Sequence, residues 1–299
     1  LVVTGGTLDV TAGDGAGTLP SDDVSTKGLK AGAILVVEGG QISVDSSDDA
    51  VHTNDSMRVA GGTLTLASGD DGMHAEASLF IDGGEVTVTQ SVEGLEADVL
   101  SLSAGTVNIT SSDDGMNGSG GSDSDSTGGA GGGGMSDTGE EILISGGTIT
   151  VNANGDGIDS NGSLEISGGT ITVWRPTASD NGALDANGTM TISGGTLLAV
   201  GSSGMAEGPD SSSSQSWLMA QVSASSGDSV TKSDASGTEI ATFTPEKDFS
   251  TLVYSTSGIS SGDEYTVATG SSSVTVTAGE SSSGGMGGQG GNRQQNGWG

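Results

Sequence analysis

The chain has 299 residues and carries 39 Asp plus Glu against 7 Lys plus Arg, a formal net charge of -32. So anionic a surface excludes nucleic-acid binding, which needs clustered Lys and Arg to displace phosphate counterions. It leaves partners that are cationic, neutral, or anionic and bridged by metal. There is no cysteine, hence no disulfide to hold the fold, and no apolar run long enough to cross a membrane.

The 56 glycines and only 3% aromatic residues resemble the composition of a disordered chain. The apolar residues, however, are mostly Val, Ile and Leu at regular positions, and that periodicity outweighs bulk composition. Leu1 opens directly on a strand pattern without a charged-then-apolar leader, as expected of a processed chain. From there a strand–Gly–Gly–strand unit recurs: Gly5-Gly6, Gly39-Gly40, Gly61-Gly62, Gly83-Gly84, the degenerate Ala104-Gly105, Gly146-Gly147, Gly168-Gly169 and Gly194-Gly195. The second glycines step by 34, 22, 22, 21, 42, 22 and 26, so the base period is 22 with insertions.

Around each pair, apolar residues alternate with period two, which places Leu164, Ile166, Ile171 and Val173 on one face. Leu35/Val37/Ile42/Val44, Met57/Val59/Leu64/Leu66, Leu79/Ile81/Val86/Val88, Leu100/Leu102/Val107/Ile109 and Ile142/Ile144/Ile149/Val151 repeat it. Stacked faces of this kind predict an all-β, right-handed parallel β-helix with about 22 residues per coil. Coils advance by about 4.8 Å, which gives a rod on the order of 40 Å long. Strand–Gly–Gly–strand is also compatible with a two-residue antiparallel hairpin, a rival that the fixed period and stackable aliphatics disfavour.

The β-helix is expected over residues 1–210. The 42-residue step holds one coil plus a Gly/Ser/Asp-rich segment at about 118–137, read as a solvated loop. After Gly195 the diglycines fade, and a Ser-rich stretch from Pro209 to Ser216 precedes strands expected at 217–222, 239–244, 251–255, 264–268 and 273–277. Residues 215–280 therefore read as a C-terminal β cap over the open core, and 281–299 as a disordered tail.

A third motif precedes the first strand of the coils: Asp48-Asp-Ala-Val-His52, Asp70-Asp-Gly-Met-His74, Val92-Glu-Gly-Leu-Glu96, Asp113-Asp-Gly-Met-Asn117, Gly155-Asp-Gly-Ile-Asp159 and Asn181-Gly-Ala-Leu-Asp185. With Val51, Met73, Leu95, Met116, Ile158 and Leu184 turned inward, one column holds Asp49, Asp71, Glu93, Asp114 and Asp156. A second holds His74, Glu96, Asn117, Asp159 and Asp185. Like charges one strand spacing apart repel by about 1 kcal/mol in water and about 3 to 4 kcal/mol at an effective dielectric of 20, so such a ladder calls for cations. Calcium, which takes six to eight oxygen ligands in flexible geometry, is the expected ion, at several sites. Zinc, which favours His and Cys, is not expected in a chain with 2 His and no Cys. The plain alternative for any one coil is that Asp and Gly simply make good turns.

Catalysis has less support. A calcium-dependent lyase needs a base for the sugar proton, and Lys27, Lys30, Arg58 and Arg175 are the only Lys or Arg of the rod. Arg58 alternates outward between Met57 and Val59, where a lyase base or a solvated surface residue would sit. His52 and His74 at their turns read equally as ligands, bases or neither. Trp174-Arg175-Pro176 breaks the coil pattern after Val173 and would place an aromatic platform for sugar stacking beside the ladder, or merely cover an inserted loop. There is no Ser-His-Asp order and no nucleotide motif.

Repeated Asp-Gly-(Ile/Met)-(Asp/Asn/His) turns, strand-Ser-Gly-Gly-Thr-strand coils, the Ala241–Lys247 segment and the glycine-methionine tail together resemble one family. It is the bacterial carbohydrate-binding parallel β-helix family of cellulose- and polygalacturonate-binding surface proteins, with a polysaccharide-lyase-like fold. The resemblance runs over nearly the whole chain. It implies a secreted or cell-surface, non-catalytic, calcium-dependent binder of acidic plant polysaccharide such as pectin, with cellulose as a further ligand. It also implies metal ligands among Asp49, Asp71, Glu93, Glu96, Asp114, Asn117, Asp156, Asp159 and Asp185, to which the turn motifs add Asp48, Asp70 and Asp113; Trp174, Arg175 and Arg58 are the candidates for contact with a sugar. A monomer is expected. The coil at 91–96 has Glu for Asp and one residue fewer, and the coil at 180–185 is shifted by an insertion, which puts a metal in doubt at each. A calcium-dependent lyase and a purely structural adhesion rod stand as the alternative functions.

Overall fold

The computed structural model describes residues 1–18, 24–120, 136–175, 181–270 and 272–280. Among these the chain is all-β and forms a β-solenoid of about 7 turns spaced roughly 22 residues apart. Each turn contributes three strand segments, so the core is walled by three stacks. In the first, Leu29, Val51, Met73, Leu95, Met116, Ile158 and Leu184 lie in parallel register. In the second, Leu35, Met57, Leu79, Leu100, Ile142, Leu164 and Met190 do so. In the third, Leu8, Ile42, Leu64, Val86, Val107, Ile149, Ile171 and Leu197 do so. Every pairing within the coils is parallel, which removes the hairpin alternative.

Period-two alternation turns these residues inward, and Leu64, Leu79, Leu100, Ile142 and Leu164 are each 0% exposed. Each such burial stabilises by about 1.5–3 kcal/mol, and stacking like upon like fills the interior without a wide sheet. The diglycine corners join the second and third stacks. Gly84 has φ +80°, and a Cβ there would lie 2.8 Å from the Gly62 carbonyl oxygen, so the corner needs both the left-handed conformation and the missing side chain.

Beyond Gly201 the polarity reverses. Strand Phe249–Ser255 pairs antiparallel with the last coil strand Thr196–Gly201 on one side and with Trp217–Ala224 on the other. A second sheet, ordered Glu239–Phe243, Val230–Asp234, Glu264–Ala268, Ser273–Thr277, is wholly antiparallel. Between these layers lies a second core of Leu218, Val222, Phe249, Leu252 and Tyr254, to which the last coils contribute Trp174, Leu198 and Val200. Strand Val230–Asp234 was not expected from the sequence. Its centre is Lys232, 1% exposed, which hides the apolar face. The Lys232 ammonium sits 3.8 Å from the Tyr254 ring centroid and 4.4 Å from that of Phe243, and burial pushes it down to about 7. The segments expected as loop and tail fall largely at 121–135 and 281–299, outside the described residues; Gly118 itself closes strand Met116–Gly118.

Candidate functional site: a carboxylate ladder with two chemical halves

The first stack is built of short strands such as Met116–Gly118, Ile158–Ser160 and Leu184–Ala186, each opening on an inward apolar residue. The next residue therefore points away from the core, and parallel pairing aligns it with its counterparts. The register runs His52, His74, Glu96, Asn117, Asp159, Asp185. The turn before each strand is locked by the same ladder: the amides of Ala50, Gly72, Gly94 and Gly115 donate to the carbonyls of Asp71, Glu93, Asp114 and Asp156 at 2.9, 2.9, 3.0 and 2.9 Å. Two columns of polar side chains thus run side by side along one edge of the solenoid.

The early coils contain cations of their own. Lys27 Nζ lies 2.7 Å from Asp48 Oδ1 and 2.5 Å from Asp49 Oδ2, and His52 Nδ1 lies 2.8 Å from the same Asp49 oxygen. Burial raises the Asp49 carboxyl, but the His52 and Lys27 hydrogen bonds and the Lys27 charge outweigh it and hold it at about 2. The ammonium thus takes up the Asp48 and Asp49 oxygens that, with Asp70, would offer a metal three ligands. One coil on, His74 Nδ1 is 3.1 Å from both Asp71 Oδ2 and Glu96 Oε2. Burial, together with Glu96 and Asp49, pushes the Asp71 carboxyl well above the usual carboxylate range.

The later coils are different. Glu93, which accepts from Asn117 Nδ2 at 2.7 Å, is pushed up to about 9 by burial and by Glu96 and Asp71. Asp114, Asp156 and Asp159 each offer an oxygen within 4.8 Å of the others'. Asp114 Oδ1 accepts from the Asp156 amide at 2.6 Å, and Asp156 Oδ1 accepts from the Gly182 amide. Burial is the largest cause of elevation for all three, with mutual repulsion added, and it takes Asp114 to about 6, Asp156 to about 7 and Asp159 to about 8. Arg175 lowers Asp114 and Asp156 without cancelling this. Asp185 and Glu207 are likewise raised by burial and extend the group. Three carboxylates that resist ionising together form an all-oxygen set of the kind calcium accepts. Asp113 lies outside this set and is exposed.

Three expectations change. Trp174 is 6% exposed, so it presents no open platform for sugar. One residue past inward Val173 it faces away from the solenoid, and the cap closes over that face, with the Phe243 ring centroid 6.1 Å away. Arg175 is fully buried, and its Nε donates to the Gly155 carbonyl at 2.8 Å, bracing the turn that carries Asp156 instead of meeting a ligand. Arg58 does face outward, but on the second stack, where Asp82 accepts from its Nε at 2.8 Å and its Nη2 at 2.6 Å. That pairing raises the guanidinium further and makes it unsuited to accept a proton. Lys27, read from the sequence as one of the rod's few basic residues and outside any cluster with the ladder, belongs to it, and Glu207 was not singled out at all. Lys27 had a signal, since it precedes Asp49 by 22 residues, one coil period. Glu207 follows the last diglycine, where no repeat points to it.

A family model described as carbohydrate-binding domain-containing protein matches residues 1–72 and 72–292. No curated protein and no solved structure matches the chain. With the family model spanning nearly its whole length, the chain belongs to the carbohydrate-binding domain-containing family.

Proposed function

We propose that this protein binds acidic plant polysaccharide of the polygalacturonate type, without catalysis, through calcium held on the later half of the ladder, outside a bacterial cell. Carbohydrate binding follows from the family. What carries the finer reading is the Asp114, Asp156 and Asp159 cluster, whose oxygens converge within 4.8 Å. A chain of net charge -32 repels a polyuronate, so a direct contact is opposed over a Debye length of about 8–10 Å. Calcium accepts six to eight oxygens, more than three carboxylates supply, and its remaining positions suit a sugar carboxylate. Asp185 and Glu207 extend the acidic edge on which such a chain would lie. An extracellular setting goes with this reading, because calcium sites of extracellular modules work at affinities of about 10⁻⁴ to 10⁻³ M, where calcium is abundant.

Affinity electrophoresis in gels containing polygalacturonate, with calcium or with EDTA, tests it. Retardation is expected in calcium, abolished by EDTA and by Asp159→Asn, and absent in gels of a neutral glucan. Unretarded migration in calcium would overturn the proposal.

A further inference from the structure

The early half of the ladder carries a different donor set. The geometry points to a second cation site at His74, Asp71 and Glu96 that takes a first-row transition-metal dication such as zinc. This site lies apart from the oxygen-only cluster at Asp114, Asp156 and Asp159 and does not depend on the calcium reading.

Three donor atoms converge there. His74 Nδ1 is 3.1 Å from Asp71 Oδ2 and 3.1 Å from Glu96 Oε2, and the two carboxyls hydrogen-bond each other. Ligands about 2.0–2.1 Å from a tetrahedral metal lie roughly 3.3 Å apart, so the set is already near the edge lengths that zinc requires. His74 Nε2 is buried without a hydrogen-bond partner, with Glu76 Oε1 3.9 Å away. An imidazole protonated at Nε2 presents its Nδ1 lone pair to two carboxyl oxygens, and a dication at that point displaces the proton that the two carboxyls share and binds all three acceptors. Glu76 is beyond hydrogen-bond distance of Nε2, and a movement of about 1 Å would bring it to where a carboxylate commonly orients a ligating histidine. Lys27 sharpens the choice of residues. Its ammonium, 2.5 Å from Asp49 Oδ2, already neutralises Asp49, and His52 Nδ1 is engaged with the same oxygen. His74 Nδ1 is 3.9 Å from that Asp49 oxygen but 3.1 Å from Asp71 and from Glu96, with the His52 ring 5.0 Å away between centroids. Imidazole favours zinc, copper, nickel and cobalt over calcium, which prefers oxygen alone. The low count of imidazoles argued against zinc in the sequence, but one imidazole with two carboxylates is a sufficient set.

The chain has 2 His and no Cys, so any imidazole signature in an untagged protein belongs to this pair. Cobalt(II) titrated into the chelator-treated, untagged full chain is the probe. Visible d–d absorption is expected, with paramagnetic broadening of the His ring signals in the wild-type protein and competition by zinc but not by equimolar calcium. His74→Gln and Glu96→Gln should each weaken cobalt binding by about tenfold or more, while Asp159→Asn leaves it intact. Unbroadened His signals at saturating cobalt, or equal loss in Asp159→Asn and His74→Gln, would refute the site. The wild-type spectra make the test independent of whether a variant folds, and loss of polygalacturonate retardation without loss of the cobalt signal would count only against the calcium reading.

Discussion

Replacing Asp159 by Asn separates what the ladder costs from what it does. Burial, with Asp114 and Asp185 next, takes the Asp159 carboxyl to about 8. Its pKa in an unfolded chain is about 4, so the proton is held more tightly in the folded state. Its contribution to stability is therefore complete below about pH 4 and is lost as the pH rises through 8. Four units correspond to a ceiling of about 5–6 kcal/mol. Residual solvent around the group reduces this, and about 2–3 kcal/mol is a reasonable working value. At roughly 2–4 °C per kcal/mol, the variant should melt about 5–10 °C above wild type at pH 8 in EDTA. The gap should shrink toward zero at pH 4 to 5. Added calcium should reverse the ranking, because the wild type gains binding energy that the variant has lost. Circular-dichroism melts at pH 5 and pH 8, with calcium or EDTA, give all four values. A gap in EDTA that does not grow between pH 5 and pH 8 would refute the reasoning.

The glycine corners give a matched pair. Gly6 and Gly84 both have positive φ, +91° and +80°, but a Cβ meets nothing within 4 Å at Gly6 and lies 2.8 Å from a carbonyl oxygen at Gly84. Gly6→Ala should cost about 1–2 kcal/mol and Gly84→Ala distinctly more in urea unfolding; equal costs would show that close coil approach is not limiting. In the cap, Lys232→Met removes a buried ammonium that burial holds at about 7. A lowered lysine pKa destabilises most below that value and progressively less toward about pH 10, so the variant's gain, on the order of 2 kcal/mol, should be present at pH 6 and fade by pH 10. A gain independent of pH would count against it.

The solenoid was legible because two periods, 2 and 22, overlay in the sequence, and the same residues that fix strand alternation also fix coil register. Val51, Met73, Leu95, Met116 and Ile158 were each expected inside from their turn motif, and all are 0% exposed. The chemistry of the ladder was less legible. Its columns followed from the register, but which carboxylates are already neutralised depends on Lys27, a single residue one period upstream. Trp174 defeated a local reading because Phe243 and the core it joins lie beyond the repeat, and Arg175 because it folds back on the preceding turn at Gly155, a contact that leaves no mark on the coil's own pattern. Lys232 misled for the opposite reason: a charged residue at the centre of a strand is buried through contact with aromatic faces distant in sequence.

The antiparallel strand Phe249–Ser255 has a further consequence. A parallel stack offers at its edge the same template that it was built on, so in principle it invites another rung from any chain with the same repeat, including a copy of itself. A strand running the other way cannot be read as the next coil, and it brings its own roof of aromatic residues. At this end of the third stack the parallel repeat therefore stops, and the acidic edge that the coils build stops with it.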